Sequence, residues 1–376
     1  MTLPLDGRKI GLLTASASRQ GGGVFEAVVS QARLIAGLGG QVEVFALHDS
    51  DTEADRDRFG GIPVQTFPVR GPRQIGYAPR LVEGLLAARL DCLHLHGIWM
   101  YPSQAGSRWA ALTGKPYLIS PHGMLDPWIT ARGRWKKALA RLGYERRSWA
   151  RAWGLHALTG AEAQDIARES GRTDNVVIPN AGPEAQGLPD KVPAPVIAYL
   201  GRIHPKKNLD ALVQGWLQAR KPQGARLQIA GWGDDADVAA FKAGLANADT
   251  SVEFLGPVFG AAKEELIAAA RFMALPSHSE GLPMAMLEAW AAGRPTLMTG
   301  QCNLPEGFAA GAALDCGYDR DSVARAVEQA FSLDGEHWRG MARAALSLAK
   351  GPFSAQAVAG LWAKAYARAI AGGSPP

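Results

Sequence analysis

The chain has 376 residues, of which 47% are hydrophobic and 20% are charged, and its formal net charge is +5. This length suits two domains better than one, the composition is that of an ordinary globular protein, and no nucleic-acid partner is expected. Three widely separated cysteines exclude a disulfide framework. Residues 1–9 lack the apolar core of a signal peptide, and no apolar run reaches the roughly 18 residues of a membrane span, so we expect a cytoplasmic protein.

Short apolar strands alternate with helical patterns along the first half of the chain. Strands are predicted at residues 9–13, 41–47, 62–69, 91–98, 115–120, 155–159 and 176–179, with helices at 24–38, 79–89 and 162–170 among those between them. This alternation predicts a parallel sheet covered on both faces. The pattern pauses at residues 181–195, whose four prolines and two glycines suit a linker.

The alternation restarts at a strand over residues 196–201. Further strands are predicted at 226–230, 252–256, 272–275, 295–298 and 312–315, with helices at 209–219, 235–246, 263–270, 283–292, 322–348 and 355–370. The second half therefore predicts another doubly wound α/β domain. Ligands of such sheets bind beyond the carboxyl ends of the strands.

Two glutamates follow the predicted strand 272–275. Glu280 lies in the loop after it, and a helix is predicted to begin at Pro283, carry Glu288 and end at Gly293. The free amides that open a helix attract phosphate. A phosphate site beside a carboxylate is one interpretation, and a crossover with merely solvated glutamates is the other.

The details of this stretch resemble a known signature. Glu280, seven residues and Glu288, with Gly-Leu-Pro after the first and Ala-Ala-Gly-Arg-Pro at the end, are similar to the donor site of glycosyltransferase family 4. Gly-Arg followed by Lys-Asn, at Arg202 and Lys207, resembles the diphosphate clamp of that family. From charge alone these two cations would be read as solvated, with Asn208 as the N-cap of the next helix.

The resemblance extends over nearly the whole chain and implies the GT-B fold, an α/β architecture of two doubly wound Rossmann-like domains facing across a cleft. Residues 1–185 would form the acceptor-binding domain, and residues 190–352 the domain that binds the nucleotide-sugar donor. The helix over 353–372 would cross back onto the N-terminal domain.

The resemblance also implies roles for single residues. Arg202, Lys207 and the amides of Gly281 and Leu282 would meet the leaving diphosphate, where stabilising charge is commonly the largest catalytic effect. Glu288 would hold the ribose hydroxyls. The remaining positions are the catalytic residue Glu280 at the donor sugar, and Val258 bordering the base.

The first half contributes three further candidates. Gly22 and Gly23, in the glycine cluster that opens the first helix, would approach the donor or the acceptor through their backbone. His122 matches the catalytic histidine that reaches the transferred sugar in the resembling family. His94 and His96, two residues apart on one strand, are interpreted as cleft-lining or packing residues.

The resemblance implies the activity of a retaining hexosyltransferase acting from a UDP or GDP sugar, without a metal or another cofactor. The leaving phosphate would help to take the proton of the acceptor, so no general base is expected. The acids from Asp49 to Asp57 are interpreted as a solvated loop, not as a metal site. A sugar-nucleotide 2-epimerase, a non-catalytic binding protein and a transferase for a soluble acceptor stay open as alternatives.

One segment carries most of the basic excess. Residues 128–153 contain eight lysines and arginines and one acid, Glu145, a net charge of +7 (8 − 1). Helical spacing predicts one apolar stripe of Trp135, Leu139, Leu142 and Trp149. Such a helix either faces the core or rests on anionic lipid. The predicted membrane-facing residues are Trp135, Lys136, Lys137 and Arg141.

Two further runs favour the lipid interpretation. His-Gly-Ile-Trp at 96–99 and the run at 121–128 resemble enzymes of bacterial surface-polysaccharide assembly. That resemblance implies a lipid-linked saccharide acceptor, and a peripheral position on the inner face of the cytoplasmic membrane.

Overall fold

The computed structural model describes residues 3–131, 134–245 and 248–375, which form two compact units. The N-terminal unit contains Met1–Ile178 and Ala359–Pro376, and the C-terminal unit contains Pro179–Val358. The assignment of acceptor and donor roles to the two predicted domains stays a prediction. Of the predicted basic segment, Arg132 and the side chains of Trp128 and Arg134 lie outside the described residues.

The N-terminal unit is built on a seven-stranded parallel sheet with the strand order β3-β2-β1-β4-β5-β6-β7. The strands are β1 (Lys9–Thr14), β2 (Gln41–Leu47), β3 (Val64–Phe67), β4 (Cys92–His96), β5 (Tyr117–Ser120), β6 (Gly154–Ala157) and β7 (Val176–Val177). Their residues are almost all buried because helices cover both faces of a parallel sheet.

The helices of this unit connect successive strands. They are α1 (Gly23–Gly37), α2 (Thr52–Asp55), α3 (Leu81–Ala87), α4 (Tyr101–Thr113), α5 (Pro127–Ala131), α6 (Arg134–Ala140), α7 (Arg146–Arg151) and α8 (Gly160–Ser170). A π-helix over Arg141–Glu145 joins α6 to α7. Thr159 caps α8 by accepting the amide of Glu162.

The C-terminal unit contains a six-stranded parallel sheet with the order β10-β9-β8-β11-β12-β13. Its strands are β8 (Val196–Leu200), β9 (Arg226–Ala230), β10 (Val252–Gly256), β11 (Phe272–Leu275), β12 (Thr296–Met298) and β13 (Ala313–Asp315). Its helices are α9 (Leu209–Gln218), α10 (Asp235–Gly244), α11 (Gly260–Ala269), α12 (Met284–Ala291), α13 (Pro305–Ala309), α14 (Arg320–Ser332) and α15 (Gly335–Lys350).

Several helix boundaries differ from the predictions, and two of the differences have a clear local cause. The single helix predicted over 322–348 is wrong, because Leu333 is extended and the side chain of Asp334 accepts the amides of Glu336 and His337 to start α15. Pro283 precedes the first turn of α12 in an extended conformation and does not occupy that turn. Gly293 ends the helical segment with φ +66°, as predicted.

The last helix, α16 (Ala355–Ile370), belongs to the N-terminal unit from Ala359 onward. The Tyr366 hydroxyl of this helix is hydrogen-bonded to His94 (2.7 Å), and His94 is hydrogen-bonded to Ser120 (2.8 Å). Ser120 is hydrogen-bonded to His156 (2.7 Å), and His156 to the carbonyl of Ile178 (2.8 Å). Burial lowers the pKa of both histidines, so each is neutral. Because a carbonyl only accepts, His156 Nε2 donates to Ile178. A neutral histidine has one donor and one acceptor nitrogen, so Ser120 donates to His156, His94 donates to Ser120, and the Tyr366 hydroxyl donates to His94.

Candidate functional site

Arg202, the first predicted cation, lies in the loop after β8, which packs against the loop after β9. The amide of Ile203 donates to the carbonyl of Trp232 (2.6 Å) in the loop after β9. A Cβ on Gly231 would lie 2.1 Å from the carbonyl oxygen of Gly201, so only glycine permits this approach. The contact brings Arg202 to the second loop.

Arg202 donates from Nη2 to the carboxylate of Asp234 at 2.9 Å. Both side chains are exposed, and an exposed ion pair contributes little stability, so the guanidinium is available to another anion. Sequence reasoning missed Asp234. The run Gly-Trp-Gly-Asp directly after an apolar strand is the signal that could have found it.

Lys207 and Glu280 meet at the point where the strand order of the sheet reverses. Their loops follow the neighbouring strands β8 and β11, and Lys207 Nζ lies 2.5 Å from Glu280 Oε1. The two side chains are only 21% and 10% exposed. Partial burial strengthens this ion pair relative to an exposed one.

Asn208 occupies the N-cap position of α9, as predicted, but its side chain does not cap the helix. Asn208 has φ +56°, and its side-chain amide donates to the carbonyls of Pro276 (3.2 Å) and Tyr318 (2.8 Å), not to the first turn of α9. Its amide thereby ties the loop after β8 to the loops after β11 and β13. This contact holds the backbone next to Lys207 in place.

The loop before α12 leaves two backbone donors open. The amide of Glu280 donates to Gln301 (3.0 Å), and its carbonyl accepts from Asn303 (2.5 Å). The amides of Gly281 and Leu282 donate no hydrogen bond within the described part of the chain. Open loop amides directly before a helix N-terminus add donors where the helix dipole already favours an anion.

Glu288 lies on α12 and accepts a hydrogen bond from Lys263 on α11 at 2.9 Å. Sequence reasoning missed Lys263, because no local pattern indicates a partner on another helix. Val258 is half-buried in the loop after β10. The neighbouring Phe259 is exposed, and its ring centroid lies 5.6 Å from that of Trp232, so two aromatic rings border this loop.

The glycine loop of the N-terminal unit is braced by the acidic run. Asp55 accepts the amide of Arg19 at 2.7 Å and pairs with its guanidinium, which lowers the pKa of Asp55 to about 2. Asp49 accepts the hydroxyl of Ser16 at 2.7 Å. Because both carboxylates are buried, the prediction of a merely solvated loop is wrong for them.

Gly22 and Gly23 come directly after this braced turn. Gly22 has φ +53°, and a Cβ on either glycine would meet nothing within 4 Å. The backbone here is therefore open to an approaching ligand, as the prediction requires, although its occupant stays a prediction.

His122 lies directly after β5 with φ +53°, and the next amide, of Gly123, donates to Glu162 at 2.6 Å. His122 Nε2 is 2.9 Å from Nδ1 of His96, at the end of the neighbouring strand β4. Burial lowers the pKa of His122 to about 3, so this histidine is a neutral hydrogen-bonding group. His122 and His96 therefore form one site at two neighbouring strand ends.

The basic segment does not form the predicted single apolar stripe. Trp135, Leu139 and Leu142 are 67%, 63% and 68% exposed, whereas Trp149 is buried against Trp99. The π-helix Arg141–Glu145 inserts extra backbone per turn and rotates α7 relative to α6. The helical spacing of the apolar residues therefore does not place Trp135 and Trp149 on one face.

The predicted membrane-facing cations also differ from one another. Lys136 is exposed, with Nζ 5.4 Å from the Trp135 ring centroid. Lys137 donates to the carbonyl of Ile129, and Arg141 pairs with Glu169. Of the three, Lys136 is the exposed cation beside the apolar residues.

Solved structures share this architecture over nearly the whole chain. HepE from Anabaena in complex with UDP is 18% identical, with a TM-score of 0.75 over 95% of this chain and 99% of that one. Sucrose-phosphate synthase from Thermosynechococcus elongatus is 18% identical, with a TM-score of 0.73 over 97% and 100%. The lipopolysaccharide outer core galactosyltransferase WaaB is 16% identical, with a TM-score of 0.69 over 97% and 99%. These likenesses define the fold as GT-B, with two Rossmann-like domains.

The fold alone does not define an activity, but two family models assign the chain to the glycosyltransferases. The model described as glycosyl transferases group 1 matches residues 194–332, and the glycosyl transferase 4-like domain matches residues 22–181. The chain belongs to the family 4-like glycosyltransferases. No curated protein sequence matches it. Within the described ranges, no helix has the length and apolar character to cross a membrane.

Proposed function

We propose that the protein is a retaining hexosyltransferase that moves a sugar from a nucleotide-diphosphate sugar onto an acceptor hydroxyl. The observation that carries the proposal is the contact of Lys207 with Glu280 at the switch point of the second sheet. Ligands of doubly wound sheets bind at such points. A cation, a carboxylate and an open helix N-terminus together suit a sugar diphosphate, in which hydroxyls adjoin an anion.

In the proposed reaction, the bond between the sugar carbon and the diphosphate breaks, and the acceptor oxygen bonds to the same face of the sugar. Arg202, Lys207 and the amides of Gly281 and Leu282 meet the charge that develops on the leaving group. The leaving phosphate takes the proton of the acceptor. The side chains supply the positive charge, so the proposal includes neither a metal nor another cofactor.

The other contacts orient the donor. Glu280 binds the donor sugar. His122 is the proposed catalytic histidine of the N-terminal unit. Glu288 binds the ribose hydroxyls, next to Lys263. The base lies near Val258, where the exposed rings of Trp232 and Phe259 offer a stacking surface. A UDP sugar is the first candidate, because the HepE structure holds UDP, and a GDP sugar is the second.

Binding and product analysis test this proposal. Calorimetry with UDP, GDP, ADP and their glucose or mannose derivatives identifies the donor, and we expect one nucleotide to bind at least tenfold more tightly than the others. Incubation of that donor with acceptor glycosides should give a product that keeps the anomeric configuration of the donor. An isomerised nucleotide sugar formed without acceptor would instead indicate the epimerase alternative. Inversion would contradict the retaining mechanism.

We further propose that the acceptor is a lipid-linked saccharide and that the protein lies peripherally on the inner, anionic membrane face. Trp135, Leu139 and Leu142 expose apolar side chains within a segment of net charge +7, and Lys136 lies beside them. Tryptophan suits the interface of a bilayer, and each cation near anionic lipid adds about 1 kcal/mol. Exposed apolar side chains beside cations suit a surface that binds anionic lipid.

Co-sedimentation with vesicles tests the membrane proposal. We expect wild-type protein to sediment with phosphatidylglycerol vesicles but not with phosphatidylcholine vesicles, less so at high salt. The Leu139→Ser and Leu142→Ser double variant and the Lys136→Glu variant should lose this binding. Leu112→Ser, which changes an exposed leucine on α4, is the matched control. Wild-type protein that stays in the supernatant at low salt would favour a soluble acceptor.

A further inference from the structure

The loop after β11 is held by the loops that follow both of its neighbouring strands. In the sheet β11 lies between β8 and β12, and each of these two strands is followed by a 3-10 helix that ends at an asparagine. Asn208 has φ +56° and Asn303 has φ +57°, a left-handed conformation that asparagine adopts more readily than most residues. Both side-chain amides donate to carbonyl oxygens of the loop after β11. The same local structure therefore holds this loop from two sides.

Asn303 contacts the part of this loop that carries the proposed anion donors. Its side-chain Nδ2 donates to the carbonyl oxygen of Glu280 at 2.5 Å and to the carbonyl oxygen of Gly281 at 3.3 Å. The turn that ends at Asn303 also holds the other backbone group of Glu280, since that amide donates to the carbonyl of Gln301 at 3.0 Å. The backbone of Glu280 is therefore fixed at both of its polar groups by residues that follow β12.

Because the peptide group is planar, these carbonyl contacts also fix the direction of the neighbouring amides. None of the described peptide bonds is cis. In a trans peptide, the C=O of one residue and the N–H of the next residue point in opposite directions. Asn303 lies on the carbonyl side of two successive peptides, so the amides of Gly281 and Leu282 point away from it. These are the two amides that donate no hydrogen bond within the described part of this loop.

The glycine in this loop makes such a constraint necessary. Gly281 is exposed, and a Cβ placed on it would meet nothing within 4 Å, so no packing around this residue fixes its backbone. Glycine reaches backbone conformations that other residues avoid, so an unrestrained peptide beside Gly281 would rotate easily. The hydrogen bonds from Asn303 oppose that rotation. Its NH₂ group carries two hydrogens, one for each carbonyl, and no charge that would repel a phosphate.

We propose that Asn303 is a positioning residue that directs the amides of Gly281 and Leu282 toward the diphosphate of the nucleotide sugar. This role rests on the proposed function, in which those two amides meet the charge of the leaving group. Asn303 contacts neither the sugar nor the diphosphate and acts only through the backbone of the loop. Its removal should therefore weaken ligands that carry a diphosphate and leave the binding of the bare nucleoside nearly unchanged.

Calorimetry with UDP, GDP, ADP and their nucleosides tests this role in two variants of the full chain. Asn303→Gly tolerates the left-handed backbone and removes the side chain. Asn303→Asp keeps the shape of the side chain, but its carboxylate only accepts hydrogen bonds and repels both the carbonyls and the phosphates. We expect the diphosphate that binds wild type most tightly to lose about tenfold in affinity in Asn303→Gly and more in Asn303→Asp. The affinity for its nucleoside should stay within about twofold of wild type in both variants.

Asn175→Asp is the matched control. Asn175 also donates from Nδ2 to two carbonyls, those of Ala163 (3.2 Å) and Arg172 (3.3 Å), but it lies in the N-terminal unit. Its thermal midpoint shows what the loss of such bonds does to stability alone, and its diphosphate affinity should match that of wild type. A purely structural Asn303 would weaken the diphosphate and the nucleoside by the same factor, or weaken neither, and either result would overturn the proposal. If no nucleoside diphosphate binds to wild-type protein, the proposed function itself fails.

Discussion

The two units present different chemistry at the same place in the same topology. Both sheets order their first six strands alike, and each reverses direction between its first and fourth strand. At the C-terminal reversal lies the charged pair of Lys207 and Glu280. At the N-terminal reversal lie His96 and His122, which burial keeps neutral. The backbone topology is therefore the same in both units, and the side chains after the strands make one strand-end cluster charged and the other neutral.

The loops of the two units are also held differently. In the C-terminal unit, backbone contacts position the site, such as the approach of Gly231 to Gly201. In the N-terminal unit, buried carboxylates do so. Glu145 accepts the amide of Trp99 at 2.5 Å and holds this residue at φ +78°, a conformation that is unfavourable for a bulky side chain. Trp99 belongs to the loop that follows β4.

Glu280→Gln should have the largest effect on the charged site. We expect turnover to fall about a hundredfold, the size of effect seen when one stabilising group is removed from a transition state. Nucleotide affinity should stay near that of wild type, because the proposed partner of Glu280 is the sugar. Steady-state kinetics and calorimetry on the same preparation measure the two quantities.

Glu288→Gln serves as the matched comparison on the same loop and helix. Its proposed ribose contact forms in the ground state, so the Kd for the nucleotide should rise and the turnover number should change less. The opposite pair of results would show that the roles of the two glutamates are reversed.

Removal of Arg202 or Lys207 should have the next largest effect, a loss of affinity for UDP. A hydrogen bond to a charged group contributes about 1.5–3 kcal/mol, so Arg202→Ala or Lys207→Ala should weaken UDP about ten- to a hundredfold. Lys207→Ala should be the more severe, because it leaves the mostly buried Glu280 without its partner. Calorimetry with UDP and uridine measures the loss, and uridine should change far less.

Arg220→Ala controls for the loss of one positive charge, since this guanidinium is almost fully exposed in the same unit. It should bind UDP like wild type. Wild-type affinity in both clamp variants would show that the diphosphate binds elsewhere.

The last prediction concerns the pH dependence of stability in the N-terminal unit. Burial raises the pKa of Glu145 from 4.5 to about 7, so the folded protein binds this proton more tightly than the unfolded chain does. The stability that it contributes is therefore fully present below pH about 4.5. It is lost as pH rises toward about 7, by up to about 1.4 kcal/mol per pH unit.

Glu145→Gln keeps an acceptor for Trp99 without a titrating group. We expect the thermal midpoint of wild type, measured against that of the variant, to fall between about pH 5 and about pH 7.5. A difference that stays constant over this interval would contradict the assignment. The charged site of the C-terminal unit should bind UDP with equal affinity in both proteins.

The sequence by itself determined the strands and the fold class. Strands β2, β9, β10 and β11 have the predicted bounds. For β2 and β11 the reason is burial, because buried parallel strands are mostly apolar runs between turn residues. The glutamate spacing around Gly281 indicated the family, because a local motif records which backbone atoms and side chains stand together within one loop and helix. Gly293 ended its helix as predicted for the same local reason.

Only the tertiary structure decided the partners. Arg202 with Asp234, Glu288 with Lys263 and Asn208 with Tyr318 join residues that are at least 25 positions apart, and no local period specifies such pairs. Helical periodicity likewise predicted one apolar stripe from Trp135 to Trp149, but it could not predict what packs against each residue. In the structure Trp135 is exposed and Trp149 is buried. His94 and His96 are identical side chains on one strand, but only the packing around each decides that both ring nitrogens of His94 are hydrogen-bonded while Nε2 of His96 has no partner among the described residues. A helix or strand fixes the direction of its side chains, but the free energy of each side chain depends on the element that packs against it.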